Sequence, residues 1–164
     1  MQKNVLFVPI GEEHRASSRF RVWQMVPHLE EVGISCRMLP YIKNIGGTGI
    51  LSAIRRKLIS LLIVEKEIKR NLEWAAVIVI QEALLSRSLL KIIEKSNTKV
   101  VFDFSDPIHL MHLDNGSSWL KRNLFLLLQR PKFVQTLGMA SHILVENKSL
   151  TKVSTAEDCT SIVM

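Results

Sequence analysis

Short, continuous apolar runs alternate with longer segments of helical periodicity along this chain, and that alternation constrains its fold most. Residues 5–8 form a continuous apolar run, and short segments at 34–39, 75–80, 99–104 and 142–145 are also predicted strands, with a sixth beginning at 161. Helical spacing of apolar residues covers 17–33, 50–73, 87–95, 117–137 and 148–156. This order predicts βαβ units, and therefore an α/β fold with a doubly wound, mostly parallel, Rossmann-like sheet in three α/β/α layers.

Local signals predict where the helices begin, bend and end. Ser17 or Ser18 is the expected N-cap of the first helix, and Gly33 is its expected C-terminal stop. Pro27 and Pro131 lie inside helical patterns, where proline removes a backbone donor. We therefore expect a kink at Pro27 and a break near Pro131.

Size and charge limit the class of protein. The 164 residues suit one domain, and 22 basic against 15 acidic residues give a net charge of +7. This balance favours anionic partners such as phosphates, nucleic acid or an acidic membrane face. No nucleic-acid-binding motif accompanies the charge, so nucleic acid is not a predicted partner. Cys36 and Cys159 lie far apart, which excludes a disulfide-rich scaffold, and the histidines show no metal-ligand spacing.

The distribution of apolar residues bears on the cellular location. The first residues lack the pattern of a signal peptide, and no run reaches the roughly 20 uncharged apolar residues of a membrane span. We therefore expect a cytoplasmic protein. Residues 50–70 and 119–133 combine basic and apolar positions, as helices at a membrane surface do. Peripheral binding to the inner face of the plasma membrane and simple packing on the sheet remain open alternatives for these helices.

The loop after the first strand contains candidate ligand-binding residues. Ligands of doubly wound sheets bind at the carboxyl ends of the strands. Gly11 is the single glycine of this loop, which argues against a dinucleotide site, and a P-loop lysine is missing. Ser18, Arg19 and Arg21 follow at the start of the helix. They either bind an anionic or polyhydroxylated ligand, or are solvated or paired with the acidic residues at positions 12 and 13.

The fourth strand ends in a second candidate group, Asp103, Ser105 and Asp106. Carboxylates at this position serve as a catalytic base, a cation ligand or an acceptor for sugar hydroxyls. The alternative is structural: Asp103 caps a neighbouring loop, and Asp106 starts a turn with Pro107.

Three segments, in order, resemble the N-terminal domain of retaining GT-B glycosyltransferases of the family-four type. The first-helix segment at 16–24 reads ASSRFRVWQ, the end of the fourth strand at 100–108 reads VVFDFSDPI, and 140–150 reads ASHILVENKSL. Ser141 departs from the family pattern, which usually has Asp there.

The resemblance implies an acceptor-side half of a glycosyltransferase, spanning residues 1–164, with the C-terminal nucleotide-sugar-binding domain absent from this chain. It implies no cofactor and no metal, a nucleotide-sugar donor bound mainly by the absent domain, a glycan or lipid-linked acceptor, and no turnover by this chain alone. The implied catalytic residues are Asp106 and Ser105. The implied substrate-binding residues are Gly11, Ser18, Arg19, Arg21, Asp103, His109 and Asn147. Among them, Arg19 and Arg21 are expected to line one cleft with Asp106.

Two non-catalytic functions remain as alternatives. A receiver-like signalling module has acidic residues after its first strand and a lysine after its fifth, and Glu12, Glu13 and Lys148 match that pattern only loosely. A membrane-surface interaction module is the other alternative, and it depends on the two basic, apolar helices.

Overall fold

The computed structural model describes residues 3–42, 50–105, 119–145 and 160–163, which include a six-stranded sheet. Its strands are β1 (Asn4–Pro9), β2 (Ser35–Met38), β3 (Val77–Gln81), β4 (Lys99–Phe104), β5 (His142–Val145) and β6 (Thr160–Val163). They lie in the order β2-β1-β3-β4-β5-β6, and every neighbouring pair is parallel. The predicted α/β, Rossmann-like fold is confirmed.

The helices lie between the strands in the sequence. They are α1 (Ala16–Ser18), α2 (Met25–Glu31), α3 (Ile50–Asn71), α4 (Arg87–Glu94) and α5 (Trp119–Met139), and a π-helical turn, Arg19–Trp23, joins α1 to α2. The helix predicted over 148–156 lies outside the described residues.

Two apolar clusters cover opposite faces of the sheet, because successive side chains of a strand point to opposite sides. Leu6 and Val8 belong to the larger cluster, which also contains side chains of α3, α4 and α5 such as Ile68 and Leu90. Phe7, between them, packs in the smaller cluster with Val22 and Val26 of the first helical segment. The three α/β/α layers follow directly from this alternation.

The first helical segment differs from the prediction. Helix α1 begins at Ala16 after Arg15, so neither Ser17 nor Ser18 is its N-cap. The irregularity expected at Pro27 lies earlier, in the π-helical turn, where the Gln24 amide donates to the Arg19 carbonyl over 3.0 Å. Pro27 is the third residue of α2, a position that needs no helical N–H donor within that helix. Gly33, with a φ of +78°, follows the end of α2 as expected.

Helix α5 is continuous through Pro131, so the predicted break there was wrong. The carbonyl that loses its helical donor belongs to Leu127, whose residue is exposed, and water can replace that hydrogen bond. In α3, Leu61 packs against the core while Leu62 is exposed, so these neighbours lie on different sides of the helix.

Candidate functional site

The order of the strands creates a crevice between β1 and β3. The chain leaves β1 toward β2 on one side and returns to β3 on the other, which makes the gap between β1 and β3 a topological switch point. Ligands of open α/β sheets bind at such a point, outside the carboxyl ends of the strands. Gly11, Glu82 and Ser105 follow the carboxyl ends of β1, β3 and β4, and the site is built around them.

Ser18 connects the loop after β1 to the end of β3. The Gly11 amide donates to Ser18 Oγ over 3.2 Å, and Ser18 Oγ donates to Gln81 Oε1 over 3.2 Å. The Ile10 amide donates to the same Gln81 oxygen over 3.3 Å. Ser18 and Gln81 are fully buried. This network fixes the backbone of the first loop against the sheet.

Gly11 lies beneath the side chain of Arg15. A Cβ at Gly11 would lie 2.7 Å from Arg15 Cδ, closer than non-bonded carbon atoms approach. The space beside this glycine, expected to admit a ligand, is therefore occupied by Arg15 here.

Arg21 and Asp103 form a buried, bidentate ion pair. Arg21 Nε donates to Asp103 Oδ2 over 2.9 Å, and Arg21 Nη2 donates to Asp103 Oδ1. The side chains are only 9% and 3% exposed, so the low-dielectric surroundings strengthen the attraction. Of the alternatives for Arg21, pairing with a carboxylate is the one observed, and the carboxylate belongs to Asp103 rather than to the acidic residues of the first loop.

Ser18 and Arg21 bind two residues that are paired in the sheet. Gln81 and Asp103 are paired across β3 and β4. Ser18 and Arg21 are three positions apart, so they lie on the same side of a helix. One helical side therefore donates to two neighbouring strands, and this fixes both the position and the rotation of the segment.

Glu82 has the one left-handed backbone among the described residues other than glycine, with a φ of +52°. Its amide donates to the Asp103 carbonyl over 2.8 Å, and Ser105 Oγ donates to Glu82 Oε1. The residue is 9% exposed. No residue of the loop that follows β3 was singled out in the sequence. A Gln-Glu pair directly after a buried apolar strand was the available signal.

A second polar cluster joins the segment after β2, helix α3 and the N-cap of α4. Glu65 accepts hydrogen bonds from Tyr41 Oη over 3.2 Å and from the amide and hydroxyl of Ser86 over 2.9 and 2.7 Å. Ser86 is the N-cap of α4, and its Oγ accepts from the Leu89 amide. Burial, followed by the charge of Glu65 and its hydrogen bond, raises the pKa of Tyr41 well above its usual range.

The structure brings together five of the residues singled out in the sequence, Gly11, Ser18, Arg21, Asp103 and Ser105, at one edge of the sheet. Arg19 is half-buried nearby, with its guanidinium 5.0 Å from the centre of the Phe20 ring. Asp106, His109 and Asn147 lie outside the described residues, so the expected cleft of Arg19, Arg21 and Asp106 stays a prediction.

Within the described ranges, no three His, Cys, Asp or Glu side chains lie close enough to hold a metal ion. None of the helices in the same ranges combines the length and the apolar character needed to cross a lipid bilayer. No protein-family model matches the chain, and no curated protein sequence matches it.

Proposed function

We propose that this chain is the acceptor-binding, N-terminal half of a retaining GT-B glycosyltransferase, which transfers a sugar from a nucleotide sugar to a glycan or lipid-linked acceptor. The contact between Arg21 and Asp103 carries the proposal. It joins two of the three segments that resemble this family, at the edge of the sheet where doubly wound folds bind their ligands. The third segment contains β5, which pairs with β4.

The chemistry assigned to this half is binding and orientation of the acceptor. Ser105 is half-buried after β4, where its hydroxyl is close to Glu82. Arg19 adds a cationic group beside the loop after β1, suited to a phosphate on the acceptor. The nucleotide-sugar donor binds mainly to a second domain. Because transfer requires both reactants to be held in register, this chain alone binds acceptor without turnover.

A glycan array that includes lipid-linked oligosaccharides tests the proposal. The labelled chain should bind a defined subset of the immobilised acceptors, and Ser105→Ala should weaken that binding while Ser88→Ala, an exposed serine of α4, should not. Incubation with labelled nucleotide sugars should release no nucleotide diphosphate above a boiled control. Absence of binding to every acceptor contradicts acceptor binding, and steady transfer by the chain alone contradicts its assignment as a half enzyme.

An exposed apolar face on α5 supports a second function, peripheral binding to anionic membranes. Leu124, Leu127 and Leu128 recur at helical spacing and are exposed, while Phe133, on the opposite side of the helix, is buried in the core. Leu127 is 72% exposed and Trp119, at the start of the helix, 75%. Arg130 is exposed on the same helix, and the chain carries a net charge of +7. We propose that this face lies on the anionic inner face of the plasma membrane.

Vesicle co-sedimentation tests membrane binding. The chain should sediment with vesicles containing phosphatidylglycerol, less so as the salt concentration rises, and Leu127→Ser should weaken binding. Val32→Ser, at an exposed valine after α2, is the matched control and should bind as the unsubstituted chain does. Equal binding to neutral vesicles, or none to acidic ones, contradicts the proposal.

A further inference from the structure

We propose that Glu82 is a ligand-binding carboxylate, and that with Gln81 it binds a neutral, hydroxyl-bearing part of the acceptor rather than a phosphate. This inference rests on the proposed function and deepens it, since it assigns a chemical class of ligand to the crevice between β1 and β3.

The first observation is an incompletely paired, nearly buried carboxylate. Glu82 is 9% exposed, and Ser105 Oγ donates to its Oε1. Its Oε2 accepts no hydrogen bond from any residue of the described ranges. Buried carboxylates are ordinarily paired or fully hydrogen-bonded. The free oxygen is therefore suited to accept a hydrogen bond from a ligand.

The second observation is independent of the first and concerns the preceding residue. Gln81 Oε1 accepts from Ser18 and from the Ile10 amide, but Gln81 Nε2 is sealed from solvent and has no partner among the described residues. An amide nitrogen is a donor only. Because this nitrogen is sealed from solvent, it meets a ligand through an enclosed bridging water molecule and not directly.

Together the two groups select a class of ligand. A hydroxyl donates to a carboxylate oxygen and accepts from a bridging water molecule, so it complements Glu82 directly and Gln81 through that water. A phosphate carries only acceptors and negative charge at neutral pH, and Glu82 repels it. The groups therefore favour a sugar ring without its phosphate.

The backbone of Glu82 is consistent with a functional role. A φ of +52° suits glycine or asparagine, and a residue with a longer side chain is strained there. Such strain is retained where the side chain has a task that glycine cannot perform.

NMR titration of the ¹⁵N-labelled chain tests the assignment. The probes are the methyl glycosides of glucose, galactose, mannose and N-acetylglucosamine, and inorganic phosphate. At least one glycoside should bind saturably and shift the amide of Ser105. Glu82→Gln should raise its Kd about 10- to 100-fold, as expected for the loss of a hydrogen bond to a charged group. Glu94→Gln, at an exposed glutamate of α4, should leave Kd unchanged.

A second variant separates a functional from a structural role. Glu82→Gly should abolish glycoside binding while raising Tm by about 2–4 °C, because glycine adopts this backbone without strain. If glycosides bind with equal Kd to both Glu82 variants and to the unsubstituted chain, the assignment is overturned and the proposed function stands. If phosphate binds in place of every glycoside, the assigned ligand class is overturned. If no glycoside and no array acceptor binds, both proposals are overturned.

Discussion

Arg21 Nε lies 2.9 Å from Asp103 Oδ2, so a salt bridge joins residues 82 positions apart in the sequence. Both side chains are buried, and removal of either one takes from the other its bidentate partner of opposite charge in the protein interior. We predict that Arg21→Met or Asp103→Leu alone destabilises the fold by about 3–5 kcal/mol.

The double variant Arg21→Met/Asp103→Leu should lose much less than the sum of the single losses, since it removes both charges of the pair together. Urea unfolding of the four proteins measures the coupling. Additive losses would show that the two side chains act independently.

Tyr41 is the only tyrosine of the chain, so its ionisation can be followed by itself. Its raised folded pKa means that its contribution to stability is fully present below the unfolded value of about 10 and is lost as the pH rises toward the folded value. Tyrosinate absorbance at 295 nm should therefore be absent from the folded chain at pH 10. In guanidinium chloride, about half of the tyrosine should be ionised at that pH. Equal titration in the two states contradicts the buried contact with Glu65.

Ser86 both caps α4 and donates to Glu65. We predict that Ser86→Ala lowers the free energy of unfolding by about 1–2 kcal/mol, because the first turn of α4 loses its cap and Glu65 loses a donor. Ser17→Ala is the control, since the Ser17 hydroxyl makes no hydrogen bond within the described residues. Chemical denaturation compares the two, and an equal effect contradicts the role of the cap.

Phe102, Phe104 and Phe133 form a buried aromatic cluster, with ring centroids 5.1 to 5.8 Å apart. Phe133→Ala should destabilise the fold by about 3–5 kcal/mol through lost contacts and the cavity left behind. Phe20→Ala, at a mostly exposed ring, should change the stability by less than about 1 kcal/mol. Thermal or urea unfolding gives both values, and similar losses would contradict the assigned core.

The sequence predicts β1, β3, β4 and β5 well because each contains a local run of apolar residues. The predicted bounds of β4 and β5 agree with the observed ones, and the α/β class follows from the alternation. Features that depend on distant contacts were not predictable. The partner of Arg21 is fixed by the order of β1, β3 and β4, and no local pattern encodes that order.

In the candidate site too, residues marked by a local sequence signal were predicted, and residues whose role depends on the folded backbone were not. Asp103 and Ser105 were selected because polar residues at the carboxyl end of a buried strand are a local signal. The importance of Glu82 depends on a left-handed backbone, which glutamate disfavours and which no propensity predicts. Continuity of α5 through Pro131 likewise depends on the exposure of the turn before it.

The two polar contacts of the first helical segment also limit the order of events during synthesis. Ser18 and Arg21 lie 63 and 82 positions before their partners, Gln81 and Asp103. During synthesis from the N-terminus, this segment can form local helical turns early. It can pack in its final position on the sheet only after β4 has been synthesised. A nascent chain that ends before Asp103 contains Arg21 without that counter-ion. The side of the sheet that carries the smaller apolar cluster is therefore completed late, even though its helix is synthesised first.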